Sequence, residues 1–119
     1  MADLVSDFNS YRDKMNARIS ETANTNLKRF LALDATSYAE GALPVKTKEM
    51  LGLVASMVLR CDDCIRYHLG KCFDAGLNSD ELNEVFMIAN LVGGSIVIPH
   101  YRRAIEYWDL LQKQSDERA

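Results

Sequence analysis

Apolar residues recur at helical spacing along nearly the whole chain, and strand-type alternation is almost absent. That pattern restricts the chain to helix-on-helix folds. Breaks are scarce, since 2 prolines and 6 glycines in 119 residues leave few places to turn. No repeat of 20–50 residues and no low-complexity segment is visible. Leu4, Phe8, Tyr11, Met15 and Ile19 predict an outer amphipathic helix over roughly Leu4–Glu21. Asn24-Thr25-Asn26 supplies N-cap chemistry for a shorter helix, Leu27–Ser37. Glu40-Gly41-Ala42-Leu43-Pro44 then breaks the chain, because proline disfavours a helical residue before it.

The third predicted helix, Val45–Leu59, puts Met50, Leu53, Val54, Met57 and Val58 on one apolar face and Lys46, Lys48 and Glu49 on the other. A break near Arg60-Cys61 leads into Asp62–Ala75, which Gly76 closes as a C′ glycine. Asn78 or Ser79 caps the next helix, with Asp80, Glu81 and Glu84 suiting the positive end of its dipole. That helix carries Leu82, Val85, Phe86, Ala89 and Val92 up to Gly93-Gly94. The last helix begins near Ser95, tolerates Pro99 in its first turn and runs to about Gln112. The expectation is an all-α, compact orthogonal bundle of about six helices in a single domain, 1–119. Its N-terminal helices occupy 1–43 and its core 44–112.

Charge and hydropathy exclude several function classes. The net charge is −3, and the densest basic stretch is Arg102-Arg103, too little for a nucleic-acid footprint. The N-terminus, MADLVSDFNSYRDK, has acidic residues at positions 3 and 7 and no apolar h-region, so it does not read as a secretory signal. The longest apolar run, Met50–Leu59, is about half of what a bilayer-spanning helix needs. The expectation is a cytoplasmic protein with neither membrane nor nucleic acid as partner. Its three cysteines then point to catalytic or metal-binding use and not to a structural disulfide framework. Met50, Met57 and Met87 read as core fillers.

The informative stretch is Glu49, eleven residues, then Cys61-Asp62-Asp63-Cys64-Ile65-Arg66-Tyr67-His68. Two cysteines separated by two residues can close a small disulfide ring at a helix start. There the free backbone N–H groups and the dipole stabilise a thiolate. His68 lies four residues after Cys64, so both side chains project from one helix face, where an imidazole can take the thiol proton. Glu49 on the preceding helix could fix the imidazole tautomer or accept the proton in turn.

With Glu49, Cys61, Cys64 and His68 in this register, the sequence resembles the alkylhydroperoxidase D family within the carboxymuconolactone decarboxylase superfamily. The resemblance runs over Lys46–Ser95 and more loosely to Tyr107. It implies an all-helical subunit assembling into homotrimers or homohexamers, and a disulfide-cycling centre. In the family scheme Cys64 attacks the peroxide or accepts electrons, Cys61 resolves the sulfenic acid as a disulfide, and His68 with Glu49 forms a proton relay. The implied function is a thiol-disulfide oxidoreductase or alkylhydroperoxide-reducing antioxidant protein with peroxiredoxin-like activity. Better-known members carry a second histidine just before the second cysteine, where this chain has Asp63. Asp62 and Asp63 oppose thiolate formation, while Arg60, Arg66 and the helix dipole favour it. With no nucleotide-binding glycine motif or flavin site, no cofactor is expected and the reductant is an external dithiol.

The residues leave other readings open. Cys61, Cys64 and His68 could be three zinc ligands of a non-catalytic protein, with Cys72, His100 or Glu49 as the fourth. A lactone decarboxylase would use His68 or His100 to shuttle protons, although members of that branch generally lack the CxxC. His100, beside Tyr101 and two arginines, is a possible additional site residue or a satisfied structural histidine. Cys72 reads as a small buried hydrophobe.

Overall fold

The computed structural model describes residues 3–118 and is all-α: six α-helices, one short 3-10 turn and no strand among those residues. The helices are α1 (Leu4–Thr22), α2 (Thr25–Ser37), α3 (Val45–Val58), α4 (Asp62–Asp74), α5 (Ser79–Gly93) and α6 (Ile98–Arg118), with the 3-10 turn at Ser95–Val97. Two compact units are present, residues 1–39 and 40–119.

In the first unit, Asp3 caps α1 by accepting from the Ser6 N–H at 2.8 Å, and Asn24 caps α2 by accepting from Leu27 N–H at 2.9 Å. Val5 and Phe8 are the buried residues of α1. Of the other residues on the expected apolar stripe, Tyr11 and Ile19 are exposed. Helix α2 has no buried residue, and Phe30, Leu31 and Leu33 face outward.

In the second unit, α3 packs against α4 and α5, and α6 packs against α4. The core is formed by Leu53 and Met57 of α3, Ile65, Leu69 and Cys72 of α4, Phe86 and Ala89 of α5, and Ala104, Tyr107 and Trp108 of α6. Each large apolar side chain removed from water there contributes about 1.5–3 kcal/mol. Trp108 meets Phe73 edge-to-face at 5.2 Å, and its indole N–H donates to the Ser79 hydroxyl at 3.3 Å.

The helix boundaries follow local chemistry. Gly76, at φ +89°, ends α4 in a conformation that few other residues adopt comfortably. Asn78 and Glu81 form a reciprocal capping box on α5, and Lys46 of α3 reaches the same Glu81 carboxylate at 3.0 Å. Gly93 is required by close packing, because a Cβ there would collide with Val97.

Three expectations are corrected. Helix α6 runs to Arg118 and not to about Gln112, since its last turns contain only ordinary helix residues and Gln112 bonds to Asp116 one turn on. Met87 is 64% exposed and is not a core filler, and Val92 is 68% exposed. Leu82, Phe86 and Ala89 define the buried stripe of α5, and positions 87, 88, 91 and 92 fall on its outer side. Glu49, placed by periodicity on the polar face of α3, is instead 3% exposed.

Candidate active site

The site grows out of the junction between α3 and α4. The Arg60 N–H donates to the Met57 carbonyl at 3.0 Å and the Cys61 N–H to the Ser56 carbonyl at 3.1 Å. Together these bonds close α3 in a Schellman motif. Its left-handed position is Arg60, at φ 59°, where glycine is the usual occupant. Ser56 is buried, and its hydroxyl donates back to the Gly52 carbonyl at 2.7 Å. The residue that ends the motif also starts the next helix: Cys61 is the N-cap of α4, and its sulfur accepts the Cys64 N–H at 3.3 Å.

Cys61 and Cys64 are joined as a disulfide, with Cα atoms 5.3 Å apart, inside the range a disulfide accepts without backbone movement. The two sulfurs are not equivalent. Cys64 is solvent-exposed, whereas Cys61 is half-buried and holds the backbone N–H of the capping position. A negative sulfur at the cap is favoured by that hydrogen bond and by the positive end of the helix.

One helical turn beyond Cys64, His68 is buried on α4, and its Nδ1 lies 2.8 Å from Glu49 Oε1 of α3. The buried positions of α3 are 49, 53, 56 and 57, a stripe facing its neighbours, and Glu49 joins it because the imidazole satisfies its carboxylate there. With the carboxylate ionised, Nδ1–H is the donor and Nε2 is the basic nitrogen of the ring.

A second histidine stands on the other flank. His100 Nδ1 lies 2.8 Å from Asp62 Oδ1, and Arg103 Nε donates to Asp62 Oδ2 at 3.0 Å. A carboxylate oxygen only accepts, so Nδ1 carries the proton. The 3.2 Å approach of Arg103 Nη2 to that nitrogen is therefore a contact between two donors. Burial pushes the Asp62 carboxyl up, but the His100 hydrogen bond and the Arg103 charge outweigh it and hold it below the usual carboxylate range. Asp62 thus enters the site as a compensated charge, and Asp63 is exposed.

Cys72 is fully buried on α4, one turn beyond His68. Burial first, and the Glu49 charge second, push its thiol up to about 12 against the opposing effect of Lys46, so it stays protonated at neutral pH. Among the described residues no three His, Cys, Asp or Glu side chains are grouped so as to hold a metal ion. Among the same residues no helix is long and apolar enough to cross a membrane.

The structure therefore brings Glu49 to His68 and joins Cys61 to Cys64, and it attaches His100 to the residue following Cys61. Sequence reasoning missed Asp62 and Arg103 as partners of His100. The available signal was the i, i+3 placement of His100 and Arg103 on one helix face.

Fold and site define a class: an all-helical protein with a CxxC disulfide at a helix start, backed by a buried His–Glu pair. The chain belongs to the carboxymuconolactone decarboxylase family, whose pattern it matches over residues 25–107. The match begins upstream of the motif and includes all of α2. Two crystal structures of one Thermotoga maritima protein are similar, at TM-scores of 0.91 and 0.89. Their identities are 48% and 49%; each covers 93% of this chain, and the chain covers 97% and 94% of theirs. That protein is described as a carboxymuconolactone decarboxylase family member for which a part in an antioxidative response is suggested. A Legionella pneumophila member of the family shares the fold at a TM-score of 0.82 and 22% identity, covering 91% of this chain and 96% of its own. An uncharacterised protein encoded in the cox locus of Paracoccus denitrificans is 25% identical over 99 residues, which is 81% of this chain and 89% of that protein.

Proposed function

We propose that this protein is a thiol-disulfide oxidoreductase that reduces peroxides, cycling Cys61 and Cys64 between dithiol and disulfide. The observation that carries the reading is the disulfide seated at the N-terminus of α4 one turn from the buried His68–Glu49 pair. In the reduced protein His68 Nε2 takes the Cys64 proton, and the charge left on the ring is balanced by Glu49 across Nδ1–H. The exposed Cys64 thiolate attacks the terminal peroxide oxygen. The O–O bond breaks, the leaving alkoxide takes the proton from His68, and Cys64 becomes a sulfenic acid. The Cys61 thiol then attacks that sulfur, releasing water and closing the disulfide.

Return to the dithiol needs an external dithiol. Its thiolate attacks the accessible Cys64 sulfur, and the Cys61 sulfur leaves onto the hydrogen bond of the helix cap. Leaving groups of lower pKa depart faster, so the capping position suits Cys61 to this role. The reading includes a cytoplasmic location and a homotrimer or homohexamer. The exposed Met87, Leu91 and Val92 of α5 give such an assembly an apolar face to bury.

The test is a free-thiol titration with a mass measurement, before and after stoichiometric peroxide, on wild type and Cys64→Ser. Wild type is expected to lose two thiols and two mass units by joining Cys61 to Cys64, and Cys64→Ser cannot form that bond. If both thiols survive peroxide and an oxidised dithiol, the redox reading falls. The lactone decarboxylase reading, which needs neither cysteine, then replaces it.

A further inference from the structure

The residue next to the resolving cysteine is tied to a helix more than thirty positions away, with both of its carboxylate oxygens used. Asp62 is the first residue of α4, and its two partners, His100 and Arg103, sit at i and i+3 on one face of α6. An uncompensated carboxylate at this position would set a negative charge beside sulfurs that must become thiolates, working against the helix dipole. Arg103 supplies the opposite charge, and His100 supplies a directed N–H. The group is half-exposed, with side-chain exposures of 17% for His100, 34% for Asp62 and 45% for Arg103, so its worth to global stability is small. A small stability effect combined with full use of the carboxylate points to electrostatic work at the helix start.

We propose that Asp62, His100 and Arg103 form a cross-helix clamp that fixes the start of α4 and sets the reduction potential of the Cys61–Cys64 couple. This inference rests on the redox reading above. The three are positioning residues: they act on the sulfurs through the charge and placement of the turn that carries them. Asp62→Asn leaves the Arg103 charge uncompensated at the start of α4, favours the thiolate and stabilises the dithiol. Arg103→Gln leaves the Asp62 charge uncompensated and does the reverse. A neighbouring unit charge in a water-screened setting is worth about a threefold change in thiolate population.

The test is the equilibrium of the full-length protein with dithiothreitol at pH 8.5, near the ordinary thiol pKa, so that thiolates contribute to the reduced state. Asp62→Asn is expected to shift the equilibrium about threefold toward the dithiol, roughly 15 mV, and Arg103→Gln about threefold toward the disulfide. The double variant is expected to return to within about twofold of wild type. His100→Gln keeps a donor for Asp62 and is expected to stay near wild type, while His100→Ala, which leaves the Arg103 charge in place, shifts toward the disulfide by less than Arg103→Gln. Thermal melts of each variant check that the fold is kept. Single variants that both move the same way, or leave the equilibrium unmoved, would overturn the clamp while the redox reading stands. A wild-type protein with no reversible two-electron couple would sink both.

Discussion

Replacing Glu49 separates what the buried pair does for the fold from what it does for the chemistry. Glu49 is 3% exposed and His68 is 8% exposed, and their 2.8 Å bond joins α3 to α4. Glu49→Ala removes the acceptor of a buried Nδ1–H, which costs about 1–3 kcal/mol, and the lost side chain leaves poorer packing on top. A total of about 2–3 kcal/mol lowers the melting temperature of a domain this size by about 8–15 °C. Glu49→Gln is different. Its amide oxygen can still accept from Nδ1–H, so the stability loss is expected to stay below about 1 kcal/mol. The amide carries no charge, however, and on the proposed mechanism it cannot stabilise the imidazolium formed as His68 takes the Cys64 proton. General acid–base catalysis is worth about 100- to 10,000-fold, and losing the carboxylate behind the base is expected to take about 10- to 100-fold of that from peroxide-driven disulfide formation. Urea unfolding gives the first quantity, and stopped-flow loss of thiols under excess peroxide gives the second. A Glu49→Gln protein that is stable and oxidises at the wild-type rate would refute the relay and leave Glu49 as a structural partner only.

Two further outcomes follow from the backbone and from Cys72. Arg60 holds a left-handed conformation at φ 59°, which costs a side chain about 1–2 kcal/mol, while glycine adds about 0.5–1 kcal/mol of unfolded-state entropy. Arg60→Gly is therefore expected to raise stability by about 0.5–1 kcal/mol in urea unfolding, and a loss of stability would show that the Arg60 side chain outweighs the strain. Cys72 titrates near 9.0 when unfolded and at about 12 when folded, so the native protein keeps a proton that the unfolded chain releases in between. Stability is thus fully present below pH 9 and falls as pH rises toward 12, by at most about 1.4 kcal/mol per pH unit. Cys72→Ala is expected to lose that alkaline dependence, and native Cys72 is expected to resist alkylation at pH 10; rapid labelling would show that its burial is not maintained in solution.

Much of the fold is readable from the sequence because its punctuation is local. Pro44, Asn78 and Gly76 act within a turn of their own positions, and they set the limits of α3, α4 and α5 within a residue or two. Periodicity fails where a partner from elsewhere decides which way a side chain faces. A glutamate directly after Lys46-Thr47-Lys48 reads as solvent-facing, and only its spacing from Cys61 separated Glu49 from Lys46 and Lys48. Its burial depends on an imidazole 19 residues away, and the Asp62 contacts span 38 and 41 residues, beyond any local pattern. The outward turn of Met87 and Val92 was hidden for a related reason. Apolar identity marks both sides of α5, and packing against α3 selects the side that is buried.

On the proposed redox reading, charge on sulfur is the quantity on which the groups around this centre act. Cys61 and Cys64 occupy the cap and the third residue of one helix, positions whose Cα atoms are already 5.3 Å apart. That spacing lies within the range a disulfide accepts, and the proposed cycle passes between two redox states of this same pair. What differs between them is negative charge on sulfur, present in the thiolate and absent in the disulfide. Three sets of groups bear on that charge. The Cys64 N–H of the α4 terminus donates to the Cys61 sulfur, His68 with Glu49 lies one turn beyond Cys64, and Asp62 is held by His100 and Arg103. Substitutions among these groups should therefore move the thiol equilibrium and its rates far more than they move the helices.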